Sequence, residues 1–220
     1  MREFTKRQPS AVLLAAQLAA VLIYPFLEEG AAGRAIFSVF GIGILSLVVL
    51  AVRSSPALTW VSLLLALPAT VLLLVQAVTG DDALLPYSSA FESVLYFYAA
   101  GALLFYMLED HEITRDELYA VGATFTLVAW AFAYAYVVCQ AVEPHSFTAA
   151  VDPLDARTWM ELLFLSFTTL TSTGLSDVVP VKPFARSLVM IEQLAGLGYV
   201  AMVVSRLVGL TLRATGRYPR

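Results

Sequence analysis

The chain has 220 residues, of which 60% are hydrophobic and 14% charged, with a formal net charge of -4 and a mean hydropathy of +0.80. Soluble domains run at about 45–50% apolar and about 25% charged, so a chain this apolar cannot hide its hydrophobic residues in a water-soluble globule, and the bilayer is its expected solvent. The weak acidic balance gives no footing for a nucleic-acid partner, and the single Cys139 excludes a disulfide framework or multi-cysteine metal site within one chain.

Crossing about 30 Å of hydrocarbon takes roughly 20 mostly apolar residues. Stretches at 10–27, 34–52, 57–78, 89–108, 118–141 and 184–211 meet that requirement, which predicts six membrane helices. Arg2, Lys6 and Arg7 precede the first as in a signal peptide, but its length and the lack of a small-residue cleavage pattern predict a retained helix. Glu28, Glu29 and Gly30 end the first span, Arg53-Ser54-Ser55-Pro56 turns after the second, and Gly80, Asp81, Asp82 and Pro86 close the third. An acidic linker, 109–117, follows the fourth and is expected to be solvated. Its His111, set among carboxylates, offers a proton- or divalent-ion-sensing alternative. Residues 142–157 read as a polar loop. The chain thus divides into 1–117, four helices and the linker, and 118–220, an outer helix, a short helix over 158–170, an irregular segment over 171–177 and a last helix.

Six spans put both termini on one side, together with nine of the 13 Lys and Arg residues; Arg34, Arg157, Lys182 and Arg186 fall on the other. The excess of basic residues marks the cytoplasmic side, so both termini are expected in the cytoplasm and the connection 142–183 outside.

That connection holds the most informative stretch, Phe164-Leu165-Ser166-Phe167-Thr168-Thr169-Leu170-Thr171-Ser172-Thr173-Gly174-Leu175-Ser176-Asp177-Val178-Val179-Pro180. Thr158 and Glu161 have capping-box spacing, which predicts the start of a helix too short to span. Its carboxyl end would aim partial negative charge inward and favour a cation. Residues 171–176 have no helical periodicity and a central Gly. Irregular backbone at membrane depth is tolerated only where it is buried in protein or lines a water-filled cavity.

Residues 161–212 resemble the pore module of the two- and six-transmembrane potassium-channel superfamily. The family pattern is Thr-Leu-Thr, then Thr-Val-Gly-Tyr-Gly-Asp, a Pro and an inner helix. This chain has Thr169-Leu170-Thr171, then Ser172-Thr173-Gly174-Leu175-Ser176-Asp177, Pro180, and a helix ending Ser205-Arg206-Leu207-Val208-Gly209-Leu210, similar to the Ala-Arg-Leu-Val-Gly ending of bacterial members. The resemblance implies an all-α integral membrane protein of a prokaryotic plasma membrane, assembled with identical subunits into a homotetramer among membrane lipids. Each subunit would place a re-entrant helix and filter between helices 5 and 6. Its implied activity is passive conduction of monovalent cations, potassium above all, with no cofactor and no enzymatic function. Thr171, Ser172, Thr173, Gly174, Leu175, Ser176 and Asp177 would form the filter.

The filter departs from the family at four places, of which Ser172 for Thr keeps the hydroxyl. Thr173 stands where an apolar Val faces away from the pore. Leu175 replaces a Tyr whose hydroxyl holds the filter's width, and Ser176 replaces a Gly whose backbone shape only Gly reaches cheaply. A Ser there is strained or takes another shape, so altered outer ion sites are expected. Single-Gly filters similar to Ser-Thr-Gly-Leu-Ser occur in the Trk and Ktr potassium transporters. A weakly selective or sodium-permeable channel, a transporter subunit and a non-conducting scaffold therefore stand as alternatives.

Asp177 would contribute to a ring of carboxylates that concentrates cations. Gly196 falls where the family often has a bendable glycine, so Gly196 and the nearby Gly198 are candidate gating hinges, with close helix packing as the other reading. Glu192, ionisable within a span, is expected to support the filter through Thr168, Thr169 or Ser172, or else to lie solvated near the interface. The fourth span has no Lys or Arg, so the first four helices lack the charge row of a voltage sensor. No Gly-x-Ser-x-Gly elbow or Gly-rich phosphate loop is present. Neither Ser166, Ser172 nor Ser176 has a base at hand, and His111 and His145 lie on opposite sides in this topology.

Overall fold

A computed structural model describes residues 8–26, 31–53, 57–80, 82–109 and 115–214. The breaks expected at Glu28–Gly30 and Ser54–Pro56, His111 and most of the acidic linker, and residues 215–220 lie outside these. The helices are α1 (Pro9–Ile23), α2 (Ala31–Arg53), α3 (Thr59–Thr79), α4 (Leu85–Glu109), α5 (Arg115–Val142), α6 (Trp159–Leu170) and α7 (Pro183–Ala214). Short 3-10 turns follow α1 at Tyr24–Phe26 and precede α4 at Asp82–Leu84. Pro9 opens α1, where a missing N–H costs nothing, and Gly80 ends α3 in the left-handed conformation.

Among the described residues five helices, α1, α3, α4, α5 and α7, are long and apolar enough to cross a membrane. α2 is helical over 23 residues, but its apolar part among residues with described side chains is Val39–Arg53, which is shorter than a span. The outward faces carry exposed Leu22, Phe26, Trp60, Leu64, Leu67 and Val71, a surface suited to lipid.

α5 is the centre of the bundle, packed against α1, α4, α6 and α7. α1 runs parallel to it: Ser10 meets Asp116 at one end, and Tyr24 meets Trp159, itself stacked on Tyr134, at the other. α4 runs antiparallel. Its Ser93 hydroxyl donates to the Ala131 carbonyl. Asp116 and Glu117, expected in a solvated linker, are instead buried in the first turn of α5. Acidic residues suit a helix amino end, and neighbouring helices give each a partner.

The loop between α5 and α7 is not wholly irregular. β1 (Phe147–Ala149) pairs antiparallel with β2 (Val178–Pro180), matching Phe147 to Pro180 and Ala149 to Val178. This ribbon ties the chain before α6 to the chain after the hydroxyl-rich segment. A second apolar cluster beneath it joins Phe132, Tyr136, Phe147, Leu162, Val178 and Val189.

Candidate functional site: the loop after the short helix

α6 has 12 residues, about 18 Å of helix, which is too short to cross a membrane. The capping box read from the sequence is formed. The Thr158 side chain accepts from the Glu161 backbone N–H, and the Glu161 carboxylate accepts from the Thr158 N–H at 2.6 Å. Arg157 fixes the approach. Its buried guanidinium donates to the carbonyls of Val151, Asp152 and Asp155 and pairs with Glu161 at 3.2 Å.

At the other end of α6 the chain folds back on the helix. The Ser172 N–H donates to the Thr169 carbonyl at 3.0 Å, and the N–H groups of Thr173 and Gly174 both donate to the Thr168 carbonyl at 3.0 and 3.2 Å. In a planar trans peptide the carbonyl points opposite to the N–H it is bonded to. The carbonyls of Thr171, Ser172 and Thr173 are therefore directed away from the helix end. The Thr171 and Thr173 hydroxyls lie 3.1 Å apart, each also in reach of a helix carbonyl. Residues 171–175 and 177 are exposed on the single chain, Leu175 at 76%. Beside them opens a concave face lined by Thr168, Thr169, Ser172, Gly174, Gln193 and Leu194.

The backbone makes this turn with two left-handed residues, Ser172 at φ 57° and Gly174 at φ 65°. Gly174 was the expected one; Ser172 was not. Ser176, which replaces the family's second Gly, is not left-handed. It takes another shape, and its hydroxyl accepts from the Val178 N–H at 3.0 Å. The pair of left-handed positions thus lies two residues earlier than the family spacing implies, because the loop closes against the Thr168 carbonyl rather than running straight on from the helix.

Glu192 is fully buried on α7, which removes the solvated reading. The Tyr136 hydroxyl of α5 donates to one carboxylate oxygen and the Ser166 hydroxyl of α6 to the other. Ser166 is also 2.8 Å from the Ala129 carbonyl. One carboxylate therefore joins three helices behind the loop. Its partner in α6 is Ser166, rather than the expected Thr168, Thr169 or Ser172. Ser166 faces back toward α5 and α7, whereas the Thr168 hydroxyl is spent on the Leu165 carbonyl of its own helix. The sequence signal for Ser166 and Tyr136 is faint: each is a hydroxyl in an apolar helix.

The two candidate hinges differ. A Cβ on Gly196 would meet the backbone of Leu170, while one on Gly198 would meet nothing within 4 Å. The second half of α7 is held to α5 by the Tyr199 hydroxyl, which donates to the Val121 carbonyl at 2.6 Å, and by the Arg206–Glu117 ion pair at 3.3 Å. Among the described residues no group of three or more His, Cys, Asp or Glu side chains is placed to hold a metal ion.

Residues 122–213, from α5 through the loop to α7, match a family model described as "Ion channel". This is the segment that carries the loop motif, and over these 92 of the 220 residues the chain is similar to an ion-channel domain. The search of curated proteins and the search of solved structures gave no match.

Proposed function

We propose, from the premise that residues 122–213 form an ion-channel domain, that four copies of this chain surround a central pore and pass monovalent cations, with potassium preferred. The observation that carries the reading is the closure of Ser172, Thr173 and Gly174 onto the end of α6. It commits their N–H groups to the helix and turns the carbonyls of Thr171, Ser172 and Thr173 outward. Rings of such oxygens replace an ion's hydration shell. In this reading each chain spans the membrane six times with both termini in the cytoplasm, and Asp177 stands at the outer mouth. Glu192 supports the loop from behind. The inner end of α7 is the gate, with Gly198 free to bend while Gly196 is committed to Leu170.

A weakly selective cation channel is the second reading. Leu175 supplies no hydroxyl to hold the outer filter, and the Ser176 hydroxyl is turned to the Val178 backbone. Ion flux from purified protein in liposomes decides between them, under potassium and then sodium gradients, against a Gly174→Ala control. Potassium flux alone supports preference, and flux of both supports the weakly selective channel. Flux undiminished in the control would remove residues 171–177 from the conduction path, and no flux under any condition would favour a non-conducting scaffold.

A further inference from the structure

Two consecutive acidic residues at the start of α5 reach in different directions. Successive side chains on a helix are about 100° apart, and here that angle separates two partners. Asp116 turns to α1: one oxygen accepts from the Ser10 backbone N–H at 3.1 Å, the other from the Ser10 hydroxyl at 2.9 Å. Ser10 lies in the first turn of α1, where the N–H has no partner inside the helix. Glu117 turns to α7 and pairs with Arg206. One turn later the division repeats. The Val121 carbonyl accepts from Tyr199 of α7, while Gly122 makes room for Leu14 of α1, whose Cδ2 would lie 2.9 Å from a Cβ there.

We infer that residues 116–122 form a two-sided coupling segment through which the position of α1 sets the position of the inner end of α7. The inference rests on reading that end of α7 as the gate. Both contacts are directional, the Ser10–Asp116 bond buried and the Glu117–Arg206 pair part-buried: Ser10 is 1% exposed, Asp116 8% and Glu117 5%, with the Arg206 side chain at 16%. A shift of α1 along its axis therefore pulls on α5 through a two-point hydrogen bond, not through slippery apolar contact. The α7 side has room to answer. Met107 and Met202 line a cleft with Leu104, Val121 and Val203 beside the Arg206–Glu117 pair, and methionine repacks more readily than branched side chains. The first four helices, which lack a voltage sensor's charges, thereby gain a mechanical route to the pore that needs none.

The test uses the full chain in lipid, with Cys139→Ser so that thiol chemistry reports on one introduced site. Val208→Cys, at an exposed position near the inner end of α7, is modified with a water-soluble thiol reagent and the rate is measured. Ser10→Ala and Glu117→Gln should each shift the rate in the same direction by about threefold to tenfold, the effect of losing a hydrogen bond. The double variant should do no more than the larger single one, and Ser10→Thr should restore the original rate. A Ser10→Ala rate equal to the parent's, or single effects that multiply in the double variant, would overturn the coupling. Potassium flux of the parent is recorded alongside. Absence of flux there counts against the channel reading, while the labelling rates still decide the coupling.

Discussion

A methyl group built on Gly196 would lie 2.3 Å from the carbonyl oxygen of Leu170 and 2.8 Å from its α-carbon. α7 and the last residue of α6 are thus in backbone contact at the point where the loop begins. The obstacle is main chain, which cannot swing aside as a side chain does. Gly196→Ala should push the end of α6 away and cost about 1–3 kcal/mol, the usual range for overpacking a close-packed site. Gly198→Ala, with open space around it, should preserve stability or add about 1 kcal/mol from helix propensity. Thermal unfolding of the two variants in detergent separates them; equal losses would mean that the contact with Leu170 is not what requires a glycine.

The carboxylate of Glu192 predicts a second contrast. Glu192→Gln keeps an acceptor for the Tyr136 hydroxyl and an N–H donor for Ser166, so the junction of α5, α6 and α7 should survive. Glu192→Leu strands the buried Tyr136 hydroxyl, while Ser166 retains the Ala129 carbonyl. One orphaned buried group costs about 1–3 kcal/mol, and a thermal midpoint lowered for Leu but not for Gln is the expected result. A Leu variant as stable as the parent would remove Glu192 from its structural role.

Backbone handedness gives a third. Ala at Gly174 meets no neighbour but must adopt φ 65°, which costs an L-residue about 1–2 kcal/mol. Gly174→Ala should abolish ion flux while leaving the assembled protein intact on size-exclusion chromatography. At Ser172 the same argument reverses. Ser172→Gly should be tolerated, since glycine takes φ 57° freely, and Ser172→Val should behave like Gly174→Ala because a β-branched side chain tolerates that region least. Unaltered flux in Ser172→Val would show that the left-handed turn is dispensable.

The outer part of the loop is where selectivity should be adjustable. Leu175→Tyr combined with Ser176→Gly supplies the missing hydroxyl and frees residue 176 for a left-handed conformation. Reversal potentials measured with potassium and sodium on opposite sides should move toward the potassium equilibrium potential. A reversal potential that does not move would place the control of selectivity elsewhere in the loop.

Features decided within a few residues of chain were legible from the start. Long apolar runs located α1, α3, α4, α5 and α7. The spacing of Thr158 and Glu161 marked the start of α6, and the hydroxyl residues around Gly174 marked the irregular loop that follows it. Each depends on hydropathy, capping or turn chemistry, which neighbouring residues settle among themselves. The reach of Asp116 and Glu117 to α1 and α7, the choice of Ser166 and Tyr136 as partners for Glu192, the ribbon between Phe147–Ala149 and Val178–Pro180, and the left-handed turn at Ser172 were not legible. They depend on how far each helix is rotated and offset against the next. A rotation of one residue, about 100°, turns Asp116 from α1 and Glu117 from α7, and nothing local to either residue sets that angle. By itself the sequence determined that the chain is a membrane protein and where its hydroxyl-rich loop lies. Only the packing of helices around α5 decided which buried hydroxyls and carboxylates hold that loop in place, because Glu192 lies 56 positions from Tyr136 and 26 from Ser166 along the chain.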